Sequence, residues 1–156
     1  MSHALLLTVD SDYEQLNRWS NDENEIDGKW DWCGIGGRWD GELILKDGSK
    51  VNEATAGLVD WAAMDDREVV RMENGRRKAE ESEAKYGKPD LFFVDHEPRR
   101  WMPFAVLIGG DWREQGRLCW FGQVDDENVA DFYEGFQEYR DALGPNRKLT
   151  IVDYHQ

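Results

Sequence analysis

The sequence predicts an α+β fold: a mostly antiparallel sheet with helices packed on one face. Three observations lead there. Short apolar runs of strand length stand near both ends, Leu5-Leu6-Leu7-Thr8-Val9 and Leu149-Thr150-Ile151-Val152. Helical periodicity fills two long segments between them, 65–86 and 126–143. Hairpins intervene among the strands and helices, so a purely parallel α/β sheet does not fit. The favoured topology is ferredoxin-like, with the first and last strands central. The 156 residues form a single domain, 1–156, with no internal repeat and no linker.

Each element follows from its residues. Leu5 to Val9 is a buried strand that ends at Asp10. Ser11-Asp12-Tyr13-Glu14 matches a capping box with Ser11 as N-cap and Glu14 reaching back, and Leu16 and Trp19 are the inward residues of the short helix it starts. The polar stretch 21–27 is a loop. Residues 38–46 form the next strand, and Lys46-Asp47-Gly48-Ser49 turns it into a hairpin. Residues 57–64 are helical, and 65–86 form a charged surface helix stopped by Gly87 and Pro89. Leu91-Phe92-Phe93-Val94 is a further short strand. Residues 104–108, Gly109-Gly110-Asp111 and 117–124 compose a hairpin with a longer loop. From Asp126 to Leu143, Val129, Phe132, Tyr133, Phe136, Tyr139 and Leu143 share one helical face, and Asp125 or Asp126 caps the start. Residues 149–154 are the last strand.

Charge narrows the partners. Nineteen Lys and Arg face 33 Asp and Glu, a net charge of −14. No basic stripe is present to neutralise phosphates, so direct nucleic-acid binding is not expected. Residues 1–60 hold 13 acids against 5 bases, densest at Asp10, Asp12, Glu14, Asp22, Glu23, Glu25, Asp27 and Asp31. Such a surface either keeps the protein soluble or docks on a basic groove, as a nucleic-acid mimic does. No apolar run approaches the length of a membrane span, and the opening residues read as a strand rather than a signal peptide. The two cysteines, Cys33 and Cys119, lie far apart, which suits a reducing, cytoplasmic setting.

Tryptophan is over-represented, with 8 residues, and three fall in Lys29-Trp30-Asp31-Trp32-Cys33-Gly34-Ile35-Gly36-Gly37-Arg38-Trp39. The glycines allow close backbone approach, Arg38 offers a planar fork for a carboxylate or phosphate, and indoles stack on bases, sugars or cations. The candidate ligand- or partner-binding residues are therefore Trp30, Asp31, Trp32, Gly36, Gly37, Arg38 and Trp39. The competing reading makes the glycines a bend, pairs Arg38 with Asp31 or Asp40, and sends the indoles to the core. The segment is neither a Walker loop nor a dinucleotide fingerprint.

These residues resemble the signature of a family of small phage, prophage and bacterial proteins to which no activity is attached. Two further stretches fit: 103–107 through Asp111-Trp112 and Gly116 to Trp120-Phe121-Gly122, and the ending Thr150-Ile151-Val152-Asp153-Tyr154-His155. Together they cover about half the chain. The resemblance implies a phage or mobile-element context, in which small acidic proteins inhibit host defence systems such as CRISPR.

Other constellations are thinner. Asp153 and His155 share a strand face, Asp10 could lie beside them if the first and last strands pair, and Asp95-His96-Glu97 is another cluster. They suit a divalent metal or an acid–base pair, against the competing reading of a frayed terminus. His3 belongs on a solvated edge. Cys33 reads as a small buried residue rather than a nucleophile. Arg99-Arg100-Trp101 is an exposed turn or an aid to Arg38 in holding an anion. No catalytic residue, metal ligand or cofactor is assigned. The leading expectation is a non-catalytic binding protein whose partner is a host protein or complex with a basic groove. A nucleotide or small-anion binder and a metal-dependent hydrolase are the alternatives.

Overall fold

A computed structural model describes residues 2–87, 100–115 and 129–155. Along the chain run β1 (His3–Val9), α1 (Tyr13–Asn17), β2 (Trp32–Ile35), β3 (Leu43–Ile44), β4 (Lys50–Val51), β5 (Glu53–Thr55), α2 (Trp61–Tyr86), β6 (Ala105–Ile108), β7 (Asp111–Glu114), α3 (Val129–Asp141) and β8 (Lys148–His155). The fold is α+β. The main sheet has the order β2-β8-β1-β6-β7, and β5 also pairs with β8. The first and last strands are central neighbours, antiparallel over seven residue pairs from His3↔His155 to Val9↔Leu149.

The connectivity departs from the ferredoxin-like expectation. That arrangement splits its βαβ units by a strand inserted between them. Here β1 and β6 pair directly and in parallel, Leu6 opposite Ala105 through Val9 opposite Ile108. All other strand pairs are antiparallel.

Period-2 alternation along β1 and β8 feeds two apolar layers. Leu5, Leu7, Val9, Val106, Leu149 and Ile151 meet Met64 of α2 and Phe136 of α3 on one face. Ala4, Leu6, Ala105, Leu107, Val152 and Tyr154 meet Leu16 of α1 and Trp30 on the other. The two long helices thus share a face, as expected, while α1 and the loop after it cover the back.

Several local expectations shift. The N-cap of α1 is Asp12, not Ser11, and the box closes between Asp12 and Gln15. Ser11 instead donates to the carbonyls of Val9 and Leu107. The strand expected over 38–46 shrinks to Leu43–Ile44, preceded by a 3-10 turn at Gly37–Trp39. Gly36 and Gly37 hold φ of 72° and 53°, which an extended strand does not use. Asp47-Gly48 does turn β3 into β4. The 57–64 helix splits into a 3-10 turn at Ala56–Leu58 and the start of α2, whose N-cap is Asp60. Gly87 closes α2 at φ 67°.

The second hairpin is tighter than expected. β6 pairs with Asp111–Glu114 across Gly109-Gly110, both at positive φ, as a two-residue hairpin turn requires. Residues 117–124, 91–94, Cys119, the Asp95-His96-Glu97 cluster, Arg99 and the cap expected at Asp125 or Asp126 lie outside the described residues.

Arg100-Trp101 is not an exposed turn. Trp101 is 1% exposed, and its indole N–H donates to Glu42 Oε1 at 2.9 Å. Glu42, itself buried, also accepts from Arg67 and, through both oxygens, from Arg71. Asp65 accepts from the Trp101 amide and from both terminal nitrogens of Arg140. Burial works to raise the Asp65 pKa, yet the Arg140 hydrogen bonds, the Trp101 amide and the charges of Arg140 and Arg100 outweigh it and hold the carboxyl below its usual range. This network rivets α2 and α3 to the segment at 100–102. No helix among the described residues is long and apolar enough to cross a membrane.

Candidate functional site

The tryptophan-glycine segment lies along β2, and β2 pairs with β8. The register sets Trp32 opposite His155 and Gly34 opposite Asp153. Since His155 also faces His3 across β1, one sheet face carries Trp32, His155 and His3 in a cross-strand row. Trp32 stacks on His155 at 5.3 Å with 13° between planes, and the His3 and His155 ring centres are 5.1 Å apart. Gly34 leaves room for this, because a Cβ there would stand 3.1 Å from the edge of the Trp32 ring.

Beneath the row lies Asp153, 1% exposed. Its Oδ1 is 2.8 Å from His3 Nδ1, and its Oδ2 accepts the Arg38 backbone N–H at 3.1 Å. The glycine loop earns its residues here: a Cβ at Gly37 would run into the Asp153 carboxylate. The glycine segment thus packs on an internal carboxylate of the chain itself, Asp153, through the Arg38 amide. His3 is not on a solvated edge, since it is half-buried on central β1 and pairs with the buried Asp153. The Asp31 carboxylate stands close against His155 Nδ1.

The candidate residues divide. Trp30 is buried in the back layer and donates its indole N–H to Leu16 O. Trp39 is half-buried against the front core. Gly36 is buried beside Asn52, and Gly37 is exposed but backs onto the Asp153 carboxylate. Asp31, Trp32 and Arg38 are on the surface. Neither Asp31 nor Asp40 takes the Arg38 guanidinium, because Asp31 meets His155 and Asp40 accepts from Asn52.

Of the expected hydrolase set, Asp10 does not join Asp153 and His155, and His96 lies outside the described residues. β1 and β8 do pair, but antiparallel, so Asp10 sits at the far end with Arg147 and the Lys148 amide, away from Asp153 and His155. Among the described residues no group of three His, Cys, Asp or Glu side chains is arranged to hold a metal ion. Cys33 is half-buried, and burial pushes its thiol pKa up, which suits an inert thiol.

Sequence reasoning missed the back of the β2 edge. There, a groove of about 450 Å³ runs between α1 and the strand edge, lined by Asp12, Tyr13, Cys33, Ile35, Glu53 and Thr150 among others. Tyr13 is 70% and Ile35 61% exposed. No family model, curated protein or solved structure matches the chain.

Proposed function

We propose that this chain is a small acidic binding protein that acts through protein contacts, with the β2 edge and the acidic N-terminal third as its recognition surface. In keeping with the family it resembles, the reading extends to a phage or mobile-element protein that inhibits a host defence system by occupying a basic groove. One observation carries it: among the described residues β2 sits at the rim of the sheet with Trp32 and Ile35 exposed beside Arg38. Tryptophan, tyrosine and arginine dominate interface energetics. The surroundings support a basic partner, because all eight acids from Asp10 to Asp31 face solvent.

The test is affinity capture from a bacterial host lysate, with the wild type and a Trp32→Ala/Arg38→Ala double variant as bait. Retention of a defined host protein at low salt, weakened at high salt and lost from the double variant, is the expected result. Equal retention by both baits would remove this surface from the function.

A small anion or nucleotide is a second reading. It is favoured by the Arg38 guanidinium, exposed and without an ion pair or hydrogen bond among the described residues, beside the Trp32 indole. It is weakened by the Arg38 amide, already engaged with Asp153. A nucleotide that raises the melting temperature of the wild type but not of Arg38→Ala would favour it.

A further inference from the structure

In an antiparallel pair, successive residues turn their backbone groups alternately toward and away from the partner strand. The Gly36 amide donates to Ile151 O at 2.9 Å, and Gly36 and Gly34 fall in the same phase of the ladder with β8. Cys33 and Ile35 therefore turn their N–H and C=O groups outward. Among the described residues nothing bonds to these four groups. Exposed strand edges are normally blunted by lysine, proline, an inward charge or a covering element. The β2 sequence Trp32-Cys33-Gly34-Ile35 has no lysine, proline or charged residue, and among the described residues β8 is its one strand partner.

We propose that β2 is a docking edge that takes an extended basic peptide segment of a partner protein as an additional strand. This rests on the protein-binding reading above and specifies its mode. Up to four backbone hydrogen bonds, from Cys33 and Ile35, give the added strand its register. Its alternate side chains fall on the two sheet faces. One set enters the groove behind the edge, where Tyr13 and Ile35 offer apolar surface and Asp12 and Glu53 offer charge against the single cation Lys148. The other set passes over Trp32, with Asp31 beside it. Alternating apolar and basic side chains match both faces.

Charge decides between a partner and a second copy. Joining two β2 edges would press two chains of net charge −14 together along their most acidic third. A basic strand gains from the same field.

The decisive variant is Ile35→Pro. It deletes an outward N–H without removing a bond to β8, and edge strands tolerate proline when the lost donor faces solvent. Ile35→Ala controls for the side chain, and melting curves check that both fold. The probes are blocked eight-residue peptides: alternating Val-Arg, alternating Val-Glu, and Val-Arg with every second amide methylated. The Val-Arg peptide is expected to slow hydrogen exchange at the Cys33 and Ile35 amides of the wild type and to bind Ile35→Pro about tenfold more weakly than Ile35→Ala. The acidic and methylated peptides are expected not to bind. Equal affinity for Ile35→Pro and Ile35→Ala, unchanged exchange at the two amides, or no saturable binding of the Val-Arg peptide overturns the proposal. A wild-type dimer in sedimentation that Ile35→Pro dissolves replaces the basic partner with a second copy and overturns it too. If Ile35→Pro captures a host protein as the wild type does while Trp32→Ala/Arg38→Ala fails, strand addition falls and the binding surface stands.

Discussion

Among the described residues two carboxylates are almost fully buried, and their partners differ in kind. Glu42 is 3% exposed and bound by Arg67, Arg71 and the Trp101 indole. Asp153 is 1% exposed and bound by a histidine ring and one backbone amide. Burying a carboxylate is costly unless permanent charge or hydrogen bonds compensate it. At Glu42 two guanidinium groups do so, and the result ties α2 to the core. At Asp153 no guanidinium among the described residues takes part. The aspartate draws in the glycine loop by its backbone, and the Arg38 side chain is released to solvent. The first arrangement ends in architecture. The second uses an internal anion to shape a surface.

The largest expected effect breaks the first site. Glu42→Ala leaves two arginines and an indole N–H facing each other without a carboxylate. We expect a loss of about 3–5 kcal/mol, the usual outcome when one partner of a buried ion pair is removed. For a chain of this size that corresponds to roughly 10 °C in melting temperature. Denaturant titration checks it, and a loss below about 1 kcal/mol would mean that water replaces Glu42 freely.

A smaller effect belongs to the second site. Gly37→Ala adds a Cβ against the Asp153 carboxylate at a φ of 53°. The expected cost is about 2–3 kcal/mol, combining left-handed strain with the displaced carboxylate. Gly48→Ala is the control, because Gly48 also has positive φ (85°) but no atom within 4 Å of the added Cβ. Its cost should be near 1 kcal/mol. Equal costs in the two variants would show that the Gly37 contact with Asp153 carries no energy of its own.

These sites also mark how far the sequence was legible. The strands β1 and β8, the helix α3 and the first hairpin turn come from local pattern: apolar runs, a helical stripe and Asp-Gly; Gly109-Gly110 marked the second hairpin, but its return strand was expected at 117–124 rather than at 111–114. The α+β class follows from them. The contacts that define the candidate site are not local. Arg38 and Asp153 are 115 residues apart, and His3 and Asp153 are 150 apart. Only the antiparallel sense of the central pair brings His3 rather than Asp10 to Asp153, and no residue pattern fixes that sense. The glycines were recognisable as a place of close approach, but Asp153 as the group they approach was not. Trp101 was misread for the same reason, since its partners Glu42, Asp65 and Gln137 come from distant elements. Missing proline and lysine on β2 was a signal already present in the sequence. It acquires meaning only once β2 is known to be at the rim.

The least disruptive test uses acid to separate the two kinds of region. Asp65 belongs with Glu42, because it too is held by arginine, and its carboxyl lies below the ordinary range. A carboxyl whose pKa is depressed on folding contributes stability above its unfolded value, near 3.9, and loses that contribution as pH falls through the folded value. Asp65→Asn removes the titrating group while keeping the shape. Wild type should exceed the variant by about 1–2 kcal/mol at neutral pH, and the gap should close below about pH 4. Urea unfolding of both proteins between pH 7 and pH 2 measures the gap directly. If it persists unchanged into strong acid, the Asp65 contribution is packing rather than charge. The contrast between arginine-held and backbone-held carboxylates would then rest on Glu42 alone.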